Sequence, residues 1–424
     1  MKAVKSILIL VILLFFFPFQ STAWAQSLQS RIDEAPENSV IHVDGVYNEA
    51  IIIEKPISLE GTADTKIVSC TDTPSLVVKG KGVAVKNITV EKCEGGQDVP
   101  AIYVTGNGHM LNSIHVRAMQ TGIQLDKASH ITIINSLVDG SGQKNGIDLW
   151  ESKDNLISNT GITHARDGIY LENSNHNVIE RNSIEQSRYG MHLMFSDDVV
   201  LNANHSEHNV TGAMVMEANR TTISNNTFSY NSNNVNAQGL LLYDANRTNI
   251  FQNTISYNRV GIYVEKSEQN KLYTNMVQGN FVGIQLKNAN NQAVQQNDFI
   301  GNVVEAQAVN SSNNQFATNF WDSSVKLDTT GKGISIIPYR MDPFFLTLTS
   351  NIPEYRVFFQ APGMFLLQKL LKSPDTAVLT DWNPVVQRSL KQENRSQPVT
   401  YLVLISVVMV ALSVLLFLIG RKRI

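Results

Sequence analysis

The segment GIYLENSNHNVIERNSIEQSRY, residues 168–189, decides the fold of this 424-residue chain. Its opening phrase, Gly-Ile-x-Leu or a close variant, occurs eight times at nearly constant spacing. The glycines that begin the phrases are Gly122, Gly146, Gly168, Gly190, Gly212, Gly239, Gly261 and Gly283. A fixed period of this length is typical of a solenoid, in which each repeat buries its apolar face only by stacking on its neighbours.

Within one repeat, short stretches of alternating apolar and polar residues are separated by polar turns. Ile169 and Leu171 alternate with Tyr170 and Glu172, which is the pattern of a half-buried strand. Three such strands fit into one repeat, and no stretch has helical periodicity. Successive coils of this kind pair in parallel through right-handed connections. The sequence therefore predicts an all-β, right-handed parallel β-helix over residues 26–340, with a cap at each end.

A column of asparagines runs through the repeats at the same intervals as the glycines. Its members are Asn182, Asn204, Asn226, Asn253, Asn275, Asn297 and Asn319. Both columns share a single longer step, from Gly212 to Gly239 and from Asn226 to Asn253, which indicates one insertion in an otherwise regular coil. Asn tolerates left-handed turn conformations, and stacked amides can hydrogen-bond from coil to coil. We therefore interpret the column as a structural Asn ladder, which continues upstream through Asn159, Asn135, Asn112 and Asn87.

Both ends of the chain are apolar and lack acidic residues. Residues 1–25 combine two lysines, an apolar stretch and an Ala-Trp-Ala sequence, which predicts a cleaved signal peptide. Residues 401–420 form an uncharged run long enough for a transmembrane helix, and the basic tail 421–424 is expected on the cytoplasmic side. Residues 341–395 are rich in Phe and Pro, and we interpret them as a C-terminal cap or docking extension with a helical segment near Ala361–Leu371. The chain is thus expected to be exported and anchored to the outer face of the cytoplasmic membrane.

Between these ends the chain is acidic. It has 29 basic and 37 acidic residues there, a net charge of −8, which argues against nucleic acid or anionic lipid as a partner. The two cysteines, Cys70 and Cys93, are separated by about the length of one repeat, so they could occupy the same column on adjacent coils, within reach of a disulfide. In an exported protein a disulfide is the expected state of such a pair, and a functional thiol is the alternative.

Four side chains suited to a soft metal are expected on one outer face of the coil. In each Gly-Ile-x-Leu phrase, the residues two and four positions after Gly should point outward. On two successive phrases these residues are His192, Met194, Met214 and Met216. Coils lie about 4.8 Å apart and alternate residues of a strand about 6.6 Å apart, so the four side chains could converge on one ion. Thioether and imidazole ligands suit Cu(I). Alternatively, they form an adaptable apolar surface under a partner or the C-terminal segment.

Other chemistry-bearing residues have simpler explanations. Asp197 and Asp198 with Glu217 could form the paired carboxylates of a glycosidase, but a turn that prefers Asp explains the first two equally well. His205 and His208 have ligand-like spacing, yet they follow the Asn column on a different strand. The sequence contains no nucleophile-elbow, zinc-protease, phosphate-loop or dinucleotide-binding motif. It therefore favours a protein without catalytic activity.

Three parts of the chain resemble a known family. RYGMHLMFSDD, residues 188–198, is similar to the Arg-x-Gly-x-His-x-Met-x-Ser segment of the NosD family of nitrous oxide reductase maturation proteins. NFWD at 319–322, with PYR at 338–340, resembles the motif that closes the β-helix in that family. The Phe-rich stretch that follows resembles the family's C-terminal extension, so the resemblance covers residues 30–385.

This resemblance implies an extracytoplasmic accessory protein for assembling the copper–sulfide centre of nitrous oxide reductase. The partners it implies are an ABC transporter (the NosF and NosY proteins), a copper chaperone and the reductase itself. Cu(I) would then be a transient ligand of the protein, not a resident cofactor. Two alternatives stay open: a cell-surface polysaccharide lyase, hydrolase or carbohydrate-binding module with the same fold, and a plain adhesion or spacer module.

Overall fold

The computed structural model describes residues 27–93, 99–234, 236–341 and 378–388, together with a few isolated residues between 348 and 409. In these residues the chain is an all-β parallel solenoid of about 13 turns, which confirms the predicted β-helix. The predicted signal peptide lies outside the described residues, as do most of the predicted helical segment and the predicted membrane span. Among the residues that are described, no helix is both long and apolar enough to cross a membrane.

One helix and 38 strands are described. The helix α1 comprises Leu28–Glu34. The strands of the first coils are β1 (Val40–His42), β2 (Val46–Tyr47), β3 (Ile51–Ile53), β4 (Ser58–Glu60), β5 (Lys66–Ser69), β6 (Leu76–Val78), β7 (Ala84–Lys92), β8 (Ile102–Asn107), β9 (Met110–Ala118), β10 (Ile123–Ser129), β11 (Thr132–Ile134) and β12 (Leu137–Asp139). The middle coils contain β13 (Ile147–Trp150), β14 (Leu156–Ser158), β15 (Gly161–Thr163), β16 (Asp167–Glu172), β17 (Val178–Glu180), β18 (Ser183–Glu185), β19 (Tyr189–Met194), β20 (Val200–Asn202), β21 (His205–Glu207), β22 (Thr211–Met216), β23 (Thr222–Ser224) and β24 (Thr227–Ser229).

The last coils and the closing strands follow in the same order. They are β25 (Gln238–Tyr243), β26 (Asn249–Phe251), β27 (Thr254–Ser256), β28 (Val260–Glu265), β29 (Lys271–Tyr273), β30 (Met276–Gln278), β31 (Val282–Lys287), β32 (Ala293–Gln295), β33 (Asp298–Ile300), β34 (Val304–Val309), β35 (Gln315–Ala317), β36 (Phe320–Trp321), β37 (Tyr339–Met341) and β38 (Leu379–Asp381). Every third strand of the regular coils joins a 12-stranded parallel sheet that runs from β3 to β34, and the other strands form a 26-stranded sheet.

The core consists of columns of apolar side chains, in which each coil places a residue directly on the corresponding residue of the coil before it. In the 12-stranded sheet Ile147 pairs with Ile169, which pairs with Met191, which pairs with Ala213, and all four are fully buried. Burying one such aliphatic side chain contributes about 1.5–3 kcal/mol. Because each coil supplies only a few of these residues, a coil is stable only between its neighbours.

Glycine begins each phrase because a side chain at that position would collide with the next coil. A Cβ atom on Gly168 would lie 2.5 Å from the carbonyl oxygen of Gly190 and 2.4 Å from the side chain of Ile184. These glycines do not have positive φ, so close approach and not backbone conformation selects them. The column ends at Glu305, which stands opposite Gly283 on β34, the last strand of this sheet among the described residues.

The asparagines form a buried hydrogen-bond ladder inside the coil. The Asn204 Oδ1 accepts hydrogen bonds from the Asn182 backbone N–H at 3.1 Å and from Asn182 Nδ2 at 3.0 Å. The Asn182 Nδ2 also donates to the carbonyl of Ile157 at 3.0 Å. The same pattern repeats upward to Asn319. Each amide thus satisfies buried polar groups of two coils at once.

Two details of the ladder differ from the sequence interpretation. The ladder asparagines do not have positive φ; the residue before each of them does, for example Arg181 at 54°. Upstream, Asn182 accepts from the backbone N–H of Thr160, and not from Asn159. Asn159, with Asn135 and Asn112, forms a separate exposed stack. The ladder is selected by hydrogen bonding in the interior, whereas the left-handed conformation occurs at the position before it, where Arg, Ala, Gln and Thr also stand.

A second buried ladder, not recognised in the sequence, runs parallel to the first. Its members are Asn209, Asn231, Asn258, Asn280 and Asn302. Its last amide, Asn302 Nδ2, donates to the Oε2 of Glu305 at 2.8 Å. Burial raises the pKa of Glu305 to about 9, and the nearby Asp322 carboxylate adds to this rise. Glu305 is therefore protonated at neutral pH, at the top of the second ladder.

The first ladder also ends on a carboxyl group. Asn319 donates from its backbone N–H and from Nδ2 to the Oδ2 of Asp381, at 3.1 and 3.0 Å. The Trp321 Nε1 donates to the same oxygen at 3.0 Å. Asp381 is fully buried on β38, which pairs in parallel with β35 and antiparallel with β37. Because β37 belongs to this closing pair, the cap crosses the predicted domain boundary at residue 340.

At the opposite end, a capped helix and a disulfide secure the first coils. The Ser27 side chain accepts from the Ser30 N–H and so caps α1, whose Leu28 and Ile32 are buried. Cys70 and Cys93 are joined by a disulfide, with their Cα atoms 4.8 Å apart on adjacent coils.

Replacing Asp381 should loosen the C-terminal coils specifically. Asp381→Ala removes the acceptor of three buried donors, and each unsatisfied donor costs about 1–3 kcal/mol. Because a solenoid frays from its ends, amide hydrogen exchange should accelerate in β32 to β36 and stay unchanged in β8 to β13. The exposed Asp64 serves as a matched control, since Asp64→Ala should change neither region. Equal acceleration in both regions would contradict this local role.

Glu305 should make stability depend on pH. Its folded pKa of about 9 lies above the ordinary value of 4.5, so its stabilising contribution is complete below pH 4.5 and is lost as the pH rises through 9. Each pH unit in this window costs at most about 1.4 kcal/mol. Glu305→Gln should therefore gain free energy of unfolding relative to wild type between pH 5 and pH 9, as measured by urea denaturation. Parallel pH profiles of the two proteins would refute the assignment.

Candidate metal site

The structure brings the four predicted metal-ligand candidates together on the outer face of the 12-stranded sheet. His192 and Met194 lie on β19, and Met214 and Met216 lie on the next strand, β22. The register pairs His192 with Met214 and Met194 with Met216. Adjacent strands are about 4.8 Å apart and alternate residues about 6.6 Å apart, so the side chains start from the corners of a small rectangle.

The four side chains are less exposed than an open outer face would make them. His192 and Met214 are each only 7% exposed, while Met194 and Met216 are half-buried. Aromatic neighbours help to cover the imidazole: the ring centroids of Tyr170 and Tyr189 lie 5.0 and 4.9 Å from that of His192. An exposed apolar docking surface therefore does not describe His192 and Met214, because both are largely shielded within the chain itself.

An aspartate on the preceding strand holds the imidazole. Asp167 is 2% exposed, and its Oδ2 lies 2.9 Å from the Nδ1 of His192. The sequence interpretation missed Asp167 because it considered only the residues two and four positions after each glycine. The signal was present, since Asp167 immediately precedes Gly168 and its strand β16 pairs directly with β19.

The Asp167 carboxylate is itself fixed by an arginine. Arg188 donates from Nε to Oδ1 at 2.9 Å and from Nη2 to Oδ2 at 2.8 Å. Burial by itself raises the pKa of Asp167, but the hydrogen bonds from His192 and Arg188 outweigh it, so the pKa of this carboxyl group lies below its usual value. Asp167 is therefore ionised at neutral pH, and its charge is balanced by the guanidinium.

The second imidazole nitrogen is available as a ligand. The Nε2 of His192 is buried and has no hydrogen-bond partner among the residues that the structure describes. A buried nitrogen without a partner is costly unless something else occupies its lone pair. A soft cation bound by this nitrogen and by thioether sulfurs would satisfy it, so the residues present fit Cu(I). Within the described part of the chain, no group of three or more His, Cys, Asp or Glu could hold a metal, so a site here depends on methionine.

A tyrosine packs beside the methionines. The Tyr170 hydroxyl donates to Glu172 Oε2 at 2.5 Å and lies 3.4 Å from the sulfur of Met194. Burial and this hydrogen bond to Glu172 raise the pKa of Tyr170 above its usual value, so the hydroxyl stays protonated. The phenol is thus a neutral neighbour of the methionine sulfur at neutral pH.

The aspartates considered as glycosidase residues hold the turns of the coil together. Arg220 donates from Nε and Nη2 to the two oxygens of Asp198, at 2.8 and 2.6 Å. The hydrogen bond from Arg220 lowers the pKa of Asp198 below its usual value. Asp197 accepts from the backbone N–H of Asn219 at 2.8 Å. These contacts explain both residues as structural.

His205 and His208, the two histidines with ligand-like spacing, are not part of the candidate metal site. His205 lies on β21, in the 26-stranded sheet, with its Nε2 at 3.1 Å from the Oε2 of Glu207. His208 stacks on Tyr230 with ring centroids 5.4 Å apart. As the sequence predicted, neither residue shares the face of the methionines.

Several solved structures have a similar fold. Two mutants of the periplasmic alginate epimerase AlgG are each 13% identical to this chain, with TM-scores of 0.51 and 0.50; the matches cover 70% and 68% of this chain and 84% and 82% of theirs. The A-module of mannuronan C-5 epimerase AlgE6 from Azotobacter vinelandii is 12% identical, with a TM-score of 0.47, covering 69% of this chain and 88% of that one. At these identities the likeness concerns the fold alone. No curated protein sequence matches this chain significantly.

The sequence of the chain also matches a family model. The model, described as periplasmic copper-binding protein (NosD), matches residues 37–185 and 135–336, which together include nearly the whole β-helix and the rectangle of His192, Met194, Met214 and Met216. The periplasmic location given in this description agrees with export of the chain. The chain therefore belongs to the NosD family of periplasmic copper-binding proteins.

Proposed function

We propose that this protein binds Cu(I) transiently at His192, Met194, Met214 and Met216 and serves the assembly of the copper–sulfide centre of nitrous oxide reductase. It acts without catalysis, as an accessory protein outside the cytoplasm. The observation that carries the proposal is the buried Nε2 of His192, which has no hydrogen-bond partner in the described part of the chain and belongs to a residue that pairs with Met214 in the sheet. Membership of a copper-binding family supports it.

The chemistry of the donors favours a soft, monovalent ion as cargo. An imidazole nitrogen and thioether sulfurs carry no charge, so the charge of the ion stays uncompensated, which costs less for a monovalent than for a divalent ion; these soft donors also suit Cu(I) better than hard cations. Asp167 adds no net charge to the site, because Arg188 neutralises it. Methionine side chains are flexible, and Met194 and Met216 are half-buried, so an ion could enter and leave past them.

The ends of the chain fit delivery at a membrane. We propose that residues 401–420 anchor the protein to the outer face of the cytoplasmic membrane, where it would work beside an ABC transporter of the NosF and NosY type. A copper chaperone would supply the ion and the reductase would receive it. The uncharged length of this segment and the basic residues that follow it support the anchor.

A glycan-active β-helix is the alternative, and it rests on likeness of fold. The similar solved structures include alginate epimerases, but at 13% identity they carry no residue-level argument. The carboxylates suggested by the sequence are tied to Arg220 and to the backbone of Asn219. Turnover of alginate or another acidic polysaccharide by the purified protein, lost in Asp197→Asn and Asp198→Asn variants, would favour the alternative and count against a non-catalytic function.

Cu(I) affinity should depend on the four proposed ligands. The full-length protein, titrated with Cu(I) against a competing chelator, should bind one equivalent. Loss of a residue that only supports a metal ligand typically lowers metal affinity about 10–100-fold. Because His192 is a proposed ligand itself, His192→Gln should lower the Cu(I) affinity by more than this. Met194→Leu, Met214→Leu and Met216→Leu keep the volume of the side chain but remove the sulfur, so each should also weaken binding.

Two methionines elsewhere provide matched controls for this titration. Met110 and Met119 are both partly exposed and lie several coils away from the site. Met110→Leu and Met119→Leu should leave the Cu(I) affinity unchanged. An affinity that is the same in wild type, the four site variants and these controls would remove the copper site.

The maturation function has a separate test. A strain that lacks this gene should make nitrous oxide reductase without its copper–sulfide centre, as measured by the copper content and absorption spectrum of the purified reductase. Wild-type protein and the Met119→Leu variant should restore the centre, whereas the His192→Gln variant should not. A complete centre in the deletion strain would contradict the proposed function.

A further inference from the structure

We infer that Asp167, clamped by Arg188, is the positioning residue of the copper site. It holds the imidazole of His192 in the tautomer that carries its proton on Nδ1 and leaves the lone pair of Nε2 free. This inference rests on the proposed function, because it assigns a role to a residue that would not itself touch the ion. Metal-binding histidines commonly donate their second ring nitrogen to a carboxylate in this way.

The hydrogen bond between Asp167 and His192 determines the tautomer. Both oxygens of Asp167 already accept hydrogen bonds from Arg188, so at a distance of 2.9 Å from Oδ2 the Nδ1 of His192 is the donor. In a neutral imidazole the other nitrogen, Nε2, then bears a lone pair and no proton. This is the nitrogen that is buried without a partner. The carboxylate therefore leaves on His192 the lone pair that a cation requires.

Arg188 fixes the orientation of the Asp167 carboxylate, which in turn holds the imidazole of His192. Its two nitrogens donate to both oxygens of Asp167, at 2.9 and 2.8 Å, which fixes the plane of the carboxylate group. The guanidinium also lies over the ring of Tyr189, 4.4 Å from its centroid. Tyr189 in turn packs edge-on against His192 at 4.9 Å. The four side chains thus hold one another, and the imidazole has little freedom to rotate.

The aspartate is specific to the coil that precedes His192. Along the sheet, the positions that align with Asp167 on the following strands are Tyr189, Thr211, Gln238, Val260, Val282 and Val304. None of these residues is acidic. A requirement of the fold would recur from coil to coil, as the glycines and asparagines do. We therefore attribute the presence of Asp167 to its contact with His192 and not to a requirement of the fold.

The tautomer can be measured in the metal-free protein. Full-length protein labelled with ¹⁵N-histidine should give a two-bond ¹H–¹⁵N NMR pattern for His192 with a protonated Nδ1 and an unprotonated Nε2, identified by its absence in the His192→Gln variant. In Asp167→Asn the amide can donate as well as accept, so the ring should no longer be held in one tautomer. Cu(I) affinity in the chelator titration should fall about 10–100-fold.

Two further variants separate positioning from general structural damage. Glu265→Gln removes another carboxylate from the same sheet face, one that pairs with Lys287 and not with a histidine, and it should change neither the tautomer nor the affinity. Arg188→Met removes the clamp but keeps the Asp167 carboxylate, so His192 should retain its Nδ1 proton.

The outcomes distinguish this inference from the proposed function. A wild-type His192 whose proton sits on Nε2, or an Asp167→Asn variant with unchanged tautomer and affinity, would overturn the role of Asp167 even if Cu(I) binds. Failure of the wild type to bind Cu(I) would overturn the proposed function, while the tautomer of the metal-free ring would still decide the role of Asp167.

Discussion

The stacking of one coil directly on the next, which from β13 onward occurs without a shift in register, is the constraint on which this structure depends. It is enforced at two kinds of position. The glycine column allows neighbouring coils to approach until a Cβ atom would lie 2.4–2.8 Å from the next coil's carbonyl oxygen. The buried asparagines bond each coil to the next through backbone and side chain at about 3 Å. A slip of one residue would place a side chain on the carbonyl and leave the amides unpaired, so the register is strongly specified.

This register also brings the residues of the proposed metal site together. His192 and Met214 are one full repeat apart in sequence, yet they are direct neighbours across two strands because the coil length equals the repeat length. The same relation places Asp167 close enough to hold the imidazole. No loop has to be ordered to bring these side chains together. The proximity of the proposed ligands is thus a by-product of the same hydrogen bonds and close contacts that stabilise the fold.

The sequence was sufficient to predict the features that recur in every coil, but not those that occur only once in the structure. The period predicted the β-helix, the Asn ladder and the adjacency of His192, Met194, Met214 and Met216, because each follows from counting along a regular coil. Asp381 could not be found in this way, since it closes the ladder from 62 residues beyond Asn319. Burial was also beyond reach: alternation places His192 on the outer face, but the covering by Tyr170 and Tyr189 depends on side-chain conformation.

A site that passes copper on must hold the ion in a defined position and also release it. In the proposed site, the imidazole and the thioethers serve these two requirements separately. The imidazole is the fixed element, because Asp167, Arg188 and Tyr189 hold it from several sides. The thioethers are the adaptable element, because methionine has several rotatable bonds and no strong hydrogen-bonding partner to restrain it. In the proposed site, one firmly held nitrogen would give the ion a defined place, while weak and movable sulfurs would allow it to be exchanged stepwise with another protein's ligands. A site of four fixed ligands would retain copper, whereas this division suits passing it on.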